Sequence, residues 1–351
     1  MKHLQTIAKV TLPLFLGGAI LYWMYRGFDF QSIKHVVFHE MNWTWMLLSF
    51  PFGILAQAFR GWRWRQTLEP MGEKPRKKVA VNAIFVSYAV SLLIPRVGEF
   101  TRCGLLKRWE NISFAKALGT VVTERAVDTL LVMLYSGLIL LFELSIFGTF
   151  FQKTGTSLDH ILSGFSLTGW LVTAICGIAV MLLLHLLLRR LSIYNKVKMT
   201  LHGIWEGVLS LKDVKNLPLY LFFSLGIWIM YFLHFYLTFF CFDFTKSLGI
   251  GCALVCFVVG NFAVIVPTPN GAGPWHFAVK TMLILYGVAD EHALYFVLIV
   301  HTVQTLLVVL LGIWASMRLS FVSRNGNGSL EKDEVRGVKY EVRGTRYEVR
   351  E

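Results

Sequence analysis

Charge is scarce in this chain. Asp, Glu, Lys and Arg make up 16% of its 351 residues, against roughly a quarter in ordinary soluble domains, and a mean hydropathy of +0.58 excludes water as the main solvent. Cysteine is also sparse. The five, at 103, 176, 241, 252 and 256, have no ligand-like spacing, which excludes a disulfide framework and a zinc site. The sequence lacks a Walker A loop, a dinucleotide fingerprint, a serine elbow and a metal-spaced His pair. No cofactor or metal is therefore expected, and ATP-driven pumping by this chain alone is excluded. No hydrophilic stretch is long enough to fold as a domain of its own. The net charge of +13 does not point to nucleic acid, because the basic residues sit in short clusters between apolar runs, where orientation signals belong.

What is present is apolar bulk, 55% of the chain. Runs of about 18 or more apolar residues recur, each long enough to cross a hydrocarbon core roughly 30 Å thick. They predict an all-α polytopic membrane protein, with helical runs at about 7–25, 44–60, 79–94, 118–142, 167–188, 218–241, 250–266, 275–288 and 293–317. Lys2 and Lys9 accompany the first run, but no small-residue cleavage site follows it, so it is read as a membrane anchor and not a removable signal.

Charge then sets topology. The segment 60–78 holds seven basic residues (Arg60, Arg63, Arg65, Lys74, Arg76, Lys77 and Lys78) against Glu69 and Glu73, and is read as a cytoplasmic flank. If 79–94 crossed fully, the basic stretch from Arg96 to Lys116 would lie outside, against the positive-inside bias. A re-entrant hairpin over about 79–108, broken at Pro95-Arg96-Val97-Gly98, removes the conflict. A second hairpin over about 250–288 is predicted by Pro267-Thr268-Pro269-Asn270-Gly271-Ala272-Gly273-Pro274, which no continuous helix survives. The expected arrangement is about six full spans plus two re-entrant hairpins within a single domain, 1–320, with both termini cytoplasmic and the halves forming an inverted repeat. Eight or nine plain spans is the competing arrangement. A tail over 321–351, with six acidic and six basic residues from 331 onward, reads as a disordered charged repeat.

Charged groups at depth cost ~2.5–3.5 kcal/mol each on insertion scales and therefore point to function unless they are paired for structure. Glu124, Arg125 and Asp128 lie near the middle of one run, with Glu124 and Asp128 on one face at i, i+4 and Arg125 within reach of Asp128 at i, i+3. Arg96, Glu99 and Arg102 lie at or near the first break, spaced three apart. Their guanidinium forks suit phosphate oxygens, and the competing view is that they only neutralise the carboxylates. The second break contributes Asn270, Gly271, Gly273 and His276, with Lys280 beyond and Asn261, His301 and Gln304 nearby. His185, His234 and His301 are read first as helix-to-helix hydrogen-bonding groups. These residues suggest a lipid transporter whose partners are membrane phospholipids or lipid-linked phosphates. An intramembrane enzyme on a lipid-linked phosphate, with Glu124 or His276 as base, is the alternative, and an assembly factor without substrate is the third. Homodimerisation is left open.

Four ordered motifs together resemble a known family: Arg60-Gly61-Trp62-Arg63-Trp64, Pro95-Arg96-Val97-Gly98-Glu99 with Arg102, Glu124-Arg125 with Asp128, and Pro267-Thr268-Pro269-Asn270-Gly271-Ala272-Gly273. Over roughly residues 5–320 the chain resembles the lysylphosphatidylglycerol synthase transmembrane region family, which includes the flippase half of the multiple peptide resistance factor. The resemblance implies an integral protein of the bacterial inner membrane that moves phospholipids between leaflets, in the best-known members an aminoacylated phosphatidylglycerol. It implies Arg96, Glu99, Arg102, Glu124, Arg125 and Asp128 as positions of interest. Two departures stand out. No soluble aminoacyl-transferring domain accompanies the motifs, so synthesis of lysyl lipid is not expected. His276 also stands where the family pattern commonly has an acidic residue, which puts coupling through a carboxylate there in doubt.

Overall fold

The computed structural model describes residues 30–142 and 214–322, except 267, together with positions 18, 21 and 22. The expected runs at about 7–25 and 167–188, the loop 143–166, most of the stretch 192–216, His185 and the charged repeat from 331 lie wholly or almost wholly outside the described residues. What is described is helical, with no strand among the described residues. The elements are α1 (Phe30–His35), continued by a π-helical turn (Val36–Glu40), α2 (Trp43–Leu68), α3 (Lys77–Leu93), α4 (Val97–Glu110), α5 (Phe114–Phe142), α6 (Leu217–Tyr236, extended by a 3-10 turn to Cys241), α7 (Gly249–Ala263), α8 (Pro274–Leu285) and α9 (Asp290–Ser320).

Local chemistry explains the boundaries. Asn42 caps α2, its Oδ1 accepting from the Thr44 N–H at 3.0 Å, and Asn216 caps α6 by accepting from Leu219 N–H at 3.1 Å. Pro95 has no N–H and cannot continue a helix. α3 therefore stops at Leu93, the chain turns through Arg96 in a left-handed conformation (φ 68°), and α4 starts at Val97. Between α7 and α8 a short 3-10 turn, Pro269–Gly271, carries Asn270 and Gly271 at φ 52° and 70°.

Length separates the helices into two kinds. α2, α5 and α9 have 26, 29 and 31 residues, about 39–46 Å at 1.5 Å per residue. α3, α4, α7 and α8 have 17, 14, 15 and 12, about 18–25 Å, short of a hydrocarbon core of roughly 30 Å. Among the described residues, two segments are both long and apolar enough to cross a membrane, Leu217–Cys241 and Asp290–Ser320. α2 and α5 match them in length, but Arg60, Arg63 and Arg65 interrupt one apolar run and Lys116, Glu124, Arg125 and Asp128 the other. The run expected to end near residue 60 thus continues to Leu68. The segment read as a cytoplasmic flank begins inside α2, because Arg60 and Arg63 are buried there against partners on α5.

The short helices pair off. α3 and α4 form an antiparallel pair, tied at its open end by Arg76 Nε to Glu110 Oε1 at 2.7 Å. Gly98 sits so close to the Ser87 carbonyl that no β-carbon would fit. α7 and α8 form the second pair. α9 runs past both and shows their opposite sense. At its C-terminal end Leu319 O accepts from Trp109 Nε1 of α4 at 2.8 Å. At its N-terminal end Asp290 pairs with Lys280 of α8 at 2.8 Å. The broken ends converge between, where α3 packs against the Pro269–Gly271 turn. Gly312 of α9 touches Ala89 of α3, the small-residue contact by which helices approach closely when hydrophobicity gives no drive to associate. Two apolar clusters flank this level, one built on Trp64, Ile84, Cys103 and Leu106, the other on Phe235, Phe239, Phe296 and Leu283. Outward faces stay apolar, with Leu130, Met133, Leu134, Leu221, Leu225, Leu306, Leu310 and Ile313 exposed. Such continuous apolar surface suits a lipid environment.

Candidate functional site

Between the two apolar clusters lies a buried ionic cluster. Arg60 and Arg63 project from α2, Arg102 from α4, and Glu124 and Asp128 from α5, none more than 5% exposed. Helical spacing assembles it: Arg60 and Arg63 are i, i+3 on one helix, Glu124 and Asp128 are i, i+4 on the other. Arg60 Nη1 donates to Asp128 Oδ2 at 2.6 Å and lies 3.6 Å from Glu124 Oε1. Arg63 Nη2 reaches Glu124 Oε1 at 3.0 Å and Asp128 Oδ1 at 2.7 Å. Arg102 Nη1 stands 2.7 Å from Glu124 Oε2, and its guanidinium lies over the Trp64 ring, 4.6 Å from the centroid. Trp64 is held in turn by Nε1 donating to Thr120 Oγ1 at 2.9 Å.

The count matters more than any single distance. Three guanidiniums, which are always charged, face two carboxylates, so the buried cluster carries one positive charge in excess. Next to it Arg125 Nε meets Glu99 Oε1 at 2.9 Å, both partly exposed. The cluster borders a cleft of about 570 Å³ lined by residues of α2, α3, α5, α6, α7, α9 and the second break. Arg60, Arg125 and Asp128 form one part of its wall. Asn270, His301, Gln304 and Thr305 form another.

The residues singled out in the sequence are distributed unevenly over this arrangement. Arg102, Glu124 and Asp128 come together in the cluster. Glu99 and Arg125 pair beside it, so Arg125 turns to the first hairpin and not to Asp128 as its spacing suggested. Arg96 is exposed at the break, outside α4 and apart from the face that Glu99 and Arg102 use. Its left-handed backbone turns it out of the helical register on which the expected spacing rested. Asn270 faces the cleft, its Nδ2 donating to Thr305 Oγ1 at 2.6 Å while its carbonyl lies 3.1 Å from His301 Nε2. Gly271 and Gly273 shape the turn with φ of 70° and 91°. His276 is 3% exposed behind that wall, its ring 4.4 Å from the His301 ring and tilted 53° to it, and its Nδ1 accepts from the Gly273 N–H at 3.4 Å. His234 makes the helix-to-helix contact expected of it, its Nδ1 2.8 Å from Ser49 O of α2, whereas His301 bonds to the Asn270 carbonyl of the break turn. Asn261 is spent on its own helix, donating to Phe257 O at 2.8 Å.

Sequence reasoning missed Arg60 and Arg63 as site residues. The signal was available: Gln57, Arg60, Arg63, Trp64 and Thr67 recur at helical spacing and are all buried on one face of α2. Among the described residues no group of His, Cys, Asp and Glu could hold a metal ion, and there is no separate soluble unit. No curated protein and no solved structure matches the chain. A family model does: residues 10–312 match the one described as lysylphosphatidylglycerol synthase TM region, and the protein, a membrane protein, belongs to that family.

Proposed function

We propose that the protein is a flippase-like lipid transporter of the bacterial inner membrane. In this reading, six full spans enclose α3–α4 and α7–α8 as re-entrant hairpins entering from opposite faces, an inverted repeat with both termini cytoplasmic. Non-helical backbone at membrane depth is tolerated where protein or a watery cavity satisfies it; the second break lines the cleft, and the first hairpin reaches it through Tyr88 of α3 and through Glu99, which pairs with Arg125 of the cleft wall. The observation that carries the reading is the excess guanidinium at the wall of that cleft. A permanent charge buried without a full complement of carboxylates is expensive unless an anion visits it, and a phosphate matches the guanidinium fork. The head group would cross between the hairpin tips while its acyl chains stay in lipid along the apolar outer faces. Arg60 would hold the phosphate at the cleft, with Arg63 and Arg102 supplying charge behind it. Arg96, Glu99 and Arg125 would line the approach, and Asn270 would present the opposing wall, shaped by the turn at Gly271 and Gly273 with His276 packed behind it.

Reconstitution of the full chain into liposomes with fluorescent phosphatidylglycerol, followed by dithionite quenching of the outer leaflet, tests this. Wild type should speed leaflet exchange over protein-free vesicles, and Arg60→Gln should slow it roughly tenfold or more, the effect of losing a charge-assisted contact of at least ~1.5 kcal/mol. Wild-type vesicles no faster than empty ones, or folded Arg60→Gln at full speed, would sink the reading. Chromatography of the recovered lipid separates transport from chemistry, because transport changes leaflet and not structure.

A further inference from the structure

The cleft has two unlike poles and an uneven supply of hydrogen-bonding groups. Among the described residues lining it, Asp128 is the one carboxylate, and it is ion-paired through both oxygens, Oδ2 accepting from Arg60 at 2.6 Å and Oδ1 lying 2.7 Å from Arg63 Nη2 without a hydrogen bond. Glu124 lies behind, fully buried and held by Arg63 and Arg102. A cationic head group entering this cleft would meet a surplus of positive charge and no free carboxylate, and like charges placed together reject a ligand.

Neutral groups are in the opposite position. Gln57 lines the cleft one helical turn before Arg60, is 4% exposed, and its Oε1 has no hydrogen-bond partner. The Trp228 indole on the facing wall likewise has an Nε1–H without a partner. Buried polar groups are normally satisfied, so an unmatched acceptor and an unmatched donor on one cleft mark what its occupant must supply. A hydroxyl both donates and accepts. An ammonium only donates and leaves the indole N–H unmet. Amide and hydroxyl groups at Asn270, Gln304 and Thr305 continue the same chemistry toward the second break, and the cleft volume of about 570 Å³ falls within the ~300–1,000 Å³ of small-molecule sites.

We infer that this site, on the transport reading above, takes lipid phosphates whose head group is uncharged and hydroxylated, a glycerol, polyol or sugar, and rejects aminoacylated head groups. The phosphate meets Arg60, and the hydroxyls meet Gln57 and Trp228. The lysyl lipid of the family description is then not what this chain carries.

The test is competition binding to the detergent-purified full chain, by native mass spectrometry, with phosphatidylglycerol, lysyl-phosphatidylglycerol and phosphatidylethanolamine, run beside the leaflet-exchange assay with the same three. Phosphatidylglycerol should bind at least about tenfold more tightly than the two cationic-headed lipids, one decade per 1.4 kcal/mol. Equal or tighter binding of the lysyl lipid, or no binding of any of them, overturns the inference. Gln57→Leu should weaken phosphatidylglycerol about tenfold, a single hydrogen bond's share, and leave the lysyl lipid unchanged. An equal change for both overturns hydroxyl recognition. Gln57→Glu, which places a carboxylate in the cleft, should narrow the preference. If the binding order holds while no lipid changes leaflet, the transport reading fails and the specificity stands.

Discussion

An excess of one positive charge makes an asymmetric prediction: removing a cation from the cluster should be cheaper than removing an anion. Arg63→Met leaves Arg60 on Asp128 at 2.6 Å and Arg102 on Glu124 at 2.7 Å, two complete pairs. Asp128→Asn leaves three guanidiniums around Glu124 alone. Each close pair is worth about 4 kcal/mol gross at 4 Å and an effective dielectric of 20. Asp128 takes part in two such pairs, and its loss also leaves the Arg60–Arg63 repulsion unopposed. Stripping a partner from a buried ion pair costs about 3–5 kcal/mol net. Arg63 also takes part in two, but its removal relieves that repulsion and the desolvation of a buried guanidinium, so about 1–2 kcal/mol is expected. At roughly 2–4 °C per kcal/mol, Asp128→Asn should lower Tm by on the order of 10 °C and Arg63→Met by less than about half of that. Among the described residues four free cysteines, Cys103, Cys241, Cys252 and Cys256, are buried, so in a Cys176→Ser background a thiol-reactive fluorophore reports unfolding of the detergent-purified chain. Saturating phosphatidylglycerol, at about 100 times its Kd, should stabilise wild type by about 2.7 kcal/mol and Arg63→Met far less, since the variant has no surplus charge to offer. Arg63→Met as damaging as Asp128→Asn, or equally stabilised by lipid, would refute the charge count.

Two further outcomes follow from the helix contacts. Gly312→Ala drives a β-carbon into Ala89 on α3 and should destabilise by about 1–3 kcal/mol, as overpacking does; adding Ala89→Gly should restore the Tm, and failure of that rescue would show that the contact is not the cause. Arg96→Gly relieves a left-handed residue (φ 68°), whose strain is about 1–2 kcal/mol, so Tm should rise by a few degrees at most while leaflet exchange slows. Unchanged exchange would remove Arg96 from the transport path.

The breaks were legible because proline with glycine nearby, or proline repeated, acts through local backbone sterics; a lone proline does not suffice, since Pro51 lies inside α2. Pro95 and the Pro267–Pro274 stretch mark the ends of α3 and α7 without knowledge of the rest of the chain. Glu124 and Asp128 were legible for a related reason: a carboxylate inside an apolar run has no cheap explanation. Arg60 and Arg63 were not, because arginine near the end of a span also serves as an orientation signal, and the two uses look alike until the helix end is known. α2 continues to Leu68, and those eight residues beyond Arg60 turn a flank into a buried face. The pairing of Arg125 with Glu99 was hidden too, since proximity along one helix says nothing about a carboxylate on another.

The two hairpins are held at the cleft by different chemistry, and that difference bears on how a phosphate can act there. Arg102 and Glu99 tie α4 to α5 by ion pairs with Glu124 and Arg125. The second break is tied to α9 by neutral hydrogen bonds from Asn270 to Thr305 and from His301 to the Asn270 carbonyl. A ligand shifts a conformational equilibrium only by the difference in its affinity for the two states. A phosphate competes with Glu124 and Asp128 for guanidiniums and therefore acts on the α2–α4–α5 contact, whereas amide and hydroxyl pairs offer it little to exchange. On the transport reading, the first hairpin is the element whose position depends on an anion in the cleft, and the second is the wall against which it moves.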